Sequence, residues 1–352
     1  MKSKVFILGA GASKPAGAPL LKDIFPEGVF HLLQGTVSGD SLNRYTHFFD
    51  YLKDRFGYDV NSSYSDPYGF VAYNDIDIEK ILSAIDNEIF KNGIEGLKKV
   101  RDEAVRFVCL TLEQAIKAGA WKSDCSPDFI SKKIDKTNDD CTIITFNYDI
   151  LLEKALLNAS LCSCFSYGID VEKDNIRNFH SYERKYENNL LILKLHGSLN
   201  WAVCSQCNKL HLFFSQRYDD IFKNSCCNCN ADLEAVLVPP TRFKEGKYLK
   251  KLWEVANLER LWKIAGEKIT TADEIVIIGY SFNEYDKEAV SLIKESIKAN
   301  SKNPNLYIVD VTPDGIYQRI FSKGFLEEHY FGEIVSFAGF REYLDNKILF
   351  KK

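Results

Sequence analysis

The sequence predicts an α/β protein: a parallel β-sheet with helices on both faces, interrupted by a helical insertion and a small module carrying clustered cysteines. Three observations point there. Apolar segments at residues 4–8, 141–145, 190–195, 274–278 and 305–311 are short and end in turn residues, as strands buried on both faces do. Stretches with helical periodicity alternate with them, and that alternation implies parallel pairing. Of 352 residues, 45% are hydrophobic and 27% charged, which excludes a disordered, collagen-like or coiled-coil chain.

Taken in order, the first strand follows Lys2 and includes Lys4, a start that superficially looks like a secretory leader. Its apolar run is barely long enough for one and flows into a glycine turn, so a cytoplasmic protein is expected. Residues 18–137 are too long for one crossover and read as a helical insertion, with helices at 78–89 and 97–118 and a polar loop at 35–66. Further helices are expected at 148–157, 255–266 and 285–299. The charge sum is 45 − 49 = −4 without a basic stripe, so nothing argues for nucleic acid, and no run of eighteen apolar residues argues for a membrane span.

Candidate chemistry sits at strand ends, where open parallel sheets bind ligands. After the first strand come Gly9, Ala10, Gly11, Ala12 and Ser13; such glycines let a backbone approach a pyrophosphate, and helix-turn N–H groups bind its charge. The loop lacks a third glycine, since Lys14 stands there, and a tight ligand-free turn needs the same residues. Thr145, Asn147 and Asp149 follow the second strand. Asn offers donor and acceptor and Asp a carboxylate, although both are also common helix N-caps. His196, flanked by Gly197, is placed to act as a base facing a cleft. Gly279, Tyr280 and Ser281, with Asp310 and Val311, end the last two strands and suit an adenosine pocket or plain turn chemistry. Cys204, Cys207, Cys226 and Cys229 form two Cys-x2-Cys pairs eighteen residues apart, a spacing for a tetrahedral structural zinc with no open position; adjacent Cys227 is a spare thiol able to replace a neighbour. The resulting division is a discontinuous Rossmann-like nucleotide-binding domain (1–17, 138–203 and 230–352), the helical insertion (18–137) and a zinc-ribbon-like module (204–229).

In their order these motifs resemble the sirtuin family, whose pattern is a Gly-Ala-Gly-x-Ser loop, Thr-x-Asn-x-Asp, His-Gly, two Cys-x2-Cys pairs and Gly-x-Ser. The resemblance implies NAD bound between the large and small modules, with Asn147 positioning ribose and water, Asp149 the nicotinamide amide, and His196 as base. Two stretches depart from the deacylating members. Gly17-Ala18-Pro19-Leu20-Leu21 lacks their aromatic residue and arginine, and Pro239-Pro240 removes two backbone donors from the strand that would clamp a peptide. Residues 144–149, Leu199-Asn200-Trp201 and Pro239-Pro240-Thr241 instead look like the bacterial sirtuin-like proteins of anti-phage defence. That likeness implies an NAD glycohydrolase acting in cell suicide (abortive infection), a homo-oligomer held inactive at rest, and a companion ATPase or a phage-derived trigger. Protein-lysine deacylation and non-catalytic NAD or ADP-ribose binding are the alternatives.

Overall fold

A computed structural model describes residues 2–33, 42–60, 78–92, 96–118, 140–158, 165–172, 175–177, 190–214, 221, 224–238, 254, 256–282, 286–322 and 334–337. Seven strands form the larger sheet: β1 (Ser3–Leu8), β2 (Asp140–Thr145), β3 (Phe165–Ser166), β5 (Leu190–Lys194), β9 (Glu274–Ile278), β10 (Asn305–Val309) and β11 (Ile334–Phe337). Their spatial order is β11-β10-β9-β1-β2-β5-β3, and every pairing is parallel. The chain starts at the centre, builds one half, then crosses back to build the other. Such a reversal opens a crevice at the carboxyl ends of the central strands. Val5, Ile7, Ile143, Ile144, Ile192, Leu193 and Ile275 are fully buried, each contributing about 1.5–3 kcal/mol relative to exposure.

The strands are in register at their carboxyl ends. Leu8 pairs with both Thr145 and Ile278, Thr145 with Lys194, and Ile278 with Val309. One row of residues therefore crosses five strands. Helices flank this sheet. The helices Leu258–Thr271 and Lys287–Lys298 pack on each other, the first also on β1 and β5, while Pro313–Ser322 packs on β10 and β11. The Asn300 side chain donates to the Ile269 and Ala272 carbonyls and closes the end of the first of these helices.

A second sheet has the order β4-β7-β6-β8, with β4 (Ile176–Arg177), β6 (Gly197–Cys204), β7 (Leu210–Phe213) and β8 (Leu233–Leu237). It takes up stretches that the sequence had assigned to the nucleotide-binding domain. Its side chains divide between two cores. Trp201, Val203, Leu212 and Val236 join the core of the large sheet. Leu199, Ala202, Cys204, Phe213, Ala235 and Leu237 join a core built with the inserted helices. Buried polar residues inside these strands, Ser198, Asn200, His211 and Glu234, interrupt the continuous apolar run that marks a strand buried on both faces, which is why they escaped the sequence reading.

The inserted helices are Leu21–Leu33, Thr46–Phe56, Ile78–Asn92 and Gly96–Ala118. Phe25, Tyr45, Phe48 and Phe49 surround Phe107 at ring separations of 5.6 to 6.0 Å. The helix at 46–56 corrects the loop expected over 35–66: Phe48 and Leu52, four residues apart, bury one stripe, and Gly57 at φ +73° caps the end. Arg101 is 1% exposed, bonds Asp86 Oδ1 at 2.6 Å, and donates to the Leu237 carbonyl at 3.1 Å, tying two helices to β8.

Candidate active site and cysteine cluster

The row across the large sheet determines where the motifs fall. One residue past it stand Gly9, Gly279 and Asp310; two past it stand Asn147 and His196. The turns after β1 and β9 touch. Gly9 N donates to the Ile278 carbonyl and Gly11 N to the Gly279 carbonyl, each at 3.0 Å. A Cβ on Gly11 would lie 2.8 Å from Gly279 Cα, and one on Gly279, at φ +59°, would collide with Ala12 N. These glycines therefore first serve contact between two turns. Gly11 N–H is bonded to the Gly279 carbonyl and Ala12 N–H to the Gly9 carbonyl.

Asn147 reaches across to the β1 turn. Its amide donates to the Gly9 carbonyl at 2.8 Å and to Ser13 Oγ at 3.0 Å, while its backbone N–H bonds Thr145 Oγ1. Ala10, at the first position of that turn, is half-buried. Asp149 accepts the Leu151 N–H at 3.0 Å and so caps the helix Leu151–Asn158. Beneath it lies a closed polar network. Buried Lys194 donates to the Asp149 carbonyl and to Glu153, Glu153 accepts from Tyr167, and Tyr167 accepts from Asn200, which in turn accepts from Ser198. This network fixes the 147–149 segment against the β5 end.

His196 is 3% exposed and lies among three rings: Phe146 at 5.3 Å, Trp262 at 6.1 Å and Tyr148 at 6.4 Å. Its Nε2 is 3.7 Å from Asp286 Oδ1. Tyr280 stacks on Phe146 at 4.9 Å and donates its hydroxyl to Asp286 Oδ2 at 3.2 Å. Burial and the Asp286 charge raise the Tyr280 phenol, so it stays protonated. Gly197 is required by packing, because at φ +81° a Cβ would strike the Val236 carbonyl. Ser281 is exposed, its carbonyl held by Arg319. Asp310 accepts from the Thr312 N–H and hydroxyl, leaving Val311 84% exposed at the same edge. The sequence reading missed Asp286 and Trp262. Asp286 falls inside the helix expected over 285–299, and Trp262 inside the one expected over 255–266, so neither stands out.

The four predicted cysteines do come together. Cys204 and Cys229 sulfurs are 3.4 Å apart, Cys207 and Cys226 3.5 Å, and all four lie within 4.8 Å of one another. Zinc at about 2.3 Å from each sulfur needs sulfurs about 3.8 Å apart, so the set fits one tetrahedral ion. The two halves share a knuckle: Gln206 and Cys207 N–H groups point at Cys204 Sγ and Asn228 N–H at Cys226 Sγ, and Asn208 and Asn230 follow at φ +57° and +59°. Burial raises the Cys226 thiol, but the Asn228 and Cys229 N–H groups and the neighbouring thiols outweigh it, holding it at about 5. Burial and the adjacent thiols push Cys207 up to about 12. Cys227 turns to Asn175 Oδ1 at 3.0 Å and is outside the set. Pro239 and Pro240 lie outside the described residues.

The fold and this edge define an α/β protein of the doubly wound, ligand-at-the-switch-point class. A family profile described as "SIR2-like domain" matches residues 141–331, and the chain belongs to that family. Solved sirtuin structures are similar at low identity. One from work on sirtuin substrate affinity is 14% identical, covers 98% of this chain and 91% of its own, and gives a TM-score of 0.38. Sir2 bound to acetylated peptide is 14% identical with a TM-score of 0.41 over 91% and 92%. Sir2 with a p53 peptide and NAD+ is 14% identical with a TM-score of 0.37 over 91% and 92%. No curated protein sequence matches the chain. Among the described residues, no helix is long and apolar enough to cross a membrane.

Proposed function

We propose that this protein is an NAD glycohydrolase, cleaving NAD to nicotinamide and ADP-ribose. The observation that carries the reading is the shared row: strands in register deliver Asn147 and His196 to equivalent positions beside the β1 and β9 turns. Breaking the nicotinamide–ribose bond develops positive charge at the anomeric carbon and releases a neutral base, so no strong acid is needed. What is needed is an oriented water, a base and a dry pocket. His196 accepts the proton, Asn147 holds water or ribose without adding charge, and the rings of Phe146, Trp262 and Tyr148 exclude solvent. Asp149, Thr145, Gly9, Ser13, Ser281, Asp310 and Val311 line or support the nucleotide side in this reading. The buried His196 also fits a resting enzyme that opens only on activation, as a cell-suicide effector in anti-phage defence requires.

The test follows nicotinamide and ADP-ribose with and without an acetylated peptide. Release without peptide supports hydrolysis; release only with peptide assigns deacylation; none from an activated assembly leaves a binding module. His196→Ala and Asn147→Ala should each fold, bind NAD and lose about a hundred- to ten-thousandfold in rate. Their double variant should be no worse than the more damaging single. Normal hydrolysis by His196→Ala would overturn the mechanism.

A further inference from the structure

We infer that Asp286 is the residue that positions and charges His196, in a Tyr280–Asp286–His196 relay that rests on the hydrolase reading above. Asp286 immediately precedes the helix Lys287–Lys298, the place where aspartate most often bonds the first-turn N–H groups. Here its side chain makes no capping bond. It is 8% exposed and turned inward, with Oδ2 accepting from Tyr280 at 3.2 Å and Oδ1 3.7 Å from His196 Nε2. An ionised carboxylate drawn away from its local role and buried beside an imidazole is costly unless it is paired and hydrogen-bonded. The Tyr280 hydroxyl supplies one partner. An imidazolium supplies the other, and hydrogen bonds of this kind in resting enzymes shorten once substrate closes the site.

The chemistry follows from the geometry. A carboxylate facing Nε2 favours the protonated ring, so the imidazole takes up the proton released by water or a ribose hydroxyl more readily. The proton stays on the imidazole, Asp286 remains a carboxylate, and the positive ring is stabilised by the negative neighbour. Other ionisable groups act on the rings around His196. Tyr148 lies beside the ring, Glu79 on the helix Ile78–Asn92 acts on both Tyr148 and Tyr280, and the Arg101–Asp86 pair acts on Tyr148. Trp262, from the Leu258–Thr271 helix, contributes a neutral ring and anchors to the Leu195 carbonyl.

The experiment is a ¹⁵N-histidine NMR titration of the full chain without NAD, with the His196 signals identified by their loss in His196→Gln. Asp286→Asn should lower the His196 pKa by about one unit or more, and Tyr280→Phe, which leaves the carboxylate less satisfied, should raise it. In activity, Asp286→Asn should lower kcat about a hundredfold with little change in KM for NAD and move the acid limb to lower pH, while Asp286→Glu recovers part of the loss. A His196 titration unchanged in both folded variants, or a loss of kcat equal at every pH, overturns the relay. A parent chain that releases no nicotinamide when activated counts against the hydrolase reading, while the titration still decides on Asp286.

Discussion

The two sheets of this molecule use burial to opposite ends. The large sheet is buried on both faces yet leaves its carboxyl edge open, and the unusual polar contacts gather there: Asn147 on the Gly9 carbonyl, Asp286 beside His196. The small sheet is closed on every side that matters. One face enters the core of the large sheet, the other the helical core, and its tip gathers four cysteines with no open coordination position. The contrast teaches that the small sheet is a spacer. It ties the inserted helices to the site on two sides: Arg101 donates to the Leu237 carbonyl, while β6 starts at Gly197 beside His196 and Val238 N donates directly to the His196 carbonyl.

That division can be broken at several points. The largest effect is expected at the cysteines. Cys204→Ser should remove about one equivalent of zinc per chain, with loss of soluble yield, because metal binding in such modules is coupled to folding. Metal analysis and sulfur-only coordination at about 2.3 Å check it; a native, soluble parent without metal would end the spacer-with-zinc picture.

Next is the buried pair. Arg101→Met leaves Asp86, also 1% exposed, without its partner and should cost about 3–5 kcal/mol in denaturant unfolding. Pairing it with Asp86→Leu should recover most of that loss. If the double variant is no better than the single, the loss comes from the Leu237 carbonyl contact instead. Gly11→Val then probes the open edge. Its side chain would enter the Gly279 turn, so a fall in melting temperature should accompany any loss of NAD binding. A fully stable variant that still binds NAD removes the turn contact and the phosphate reading together.

The smallest effect sharpens the comparison from the helical side. Burial raises Asp102 from 3.8 to about 6. The folded state therefore holds the proton more tightly, and stability falls as pH rises from about 4 to about 6 and stays lower above it. Asp102→Asn should gain about 2 kcal/mol at pH 7 and nothing at pH 4. Equal unfolding curves for both proteins at pH 7 would show that surrounding Lys98, Arg101 and Arg106 already offset its charge.

How much was legible follows from the same physics. The five apolar segments at 4–8, 141–145, 190–195, 274–278 and 305–311 announced five of the seven strands of the large sheet within two residues of their ends, because central parallel strands need continuous apolar sequence, whereas the edge strands Phe165–Ser166 and Ile334–Phe337 were missed. Both Cys-x2-Cys pairs were legible because metal geometry dictates spacing. The small sheet was not, since its strands carry buried polar residues, His211 in Leu210–Phe213, Glu234 in Leu233–Leu237 and Ser198 and Asn200 in β6, that break a continuous apolar run. Thr46–Phe56 was hidden by polar composition around a narrow stripe of Phe48 and Leu52. Asp286 was invisible for a different reason: its neighbours in space, Tyr280 and His196, are fixed only by tertiary structure.

The central place of β1 has a consequence for synthesis. During translation the first strand emerges early, but its partners are β2 at 140–145 and β9 at 274–278. Contacts at such sequence separation form slowly and late. Until Gly279 has left the ribosome, the β1 turn lacks its β9 partner and meets only the Asn147 side, and Asp286 does not exist to face His196. A chain stopped before that point carries the glycine loop, Asn147 and His196 but no assembled site. In the hydrolase reading, an unfinished copy of this protein is therefore harmless to the cell that makes it.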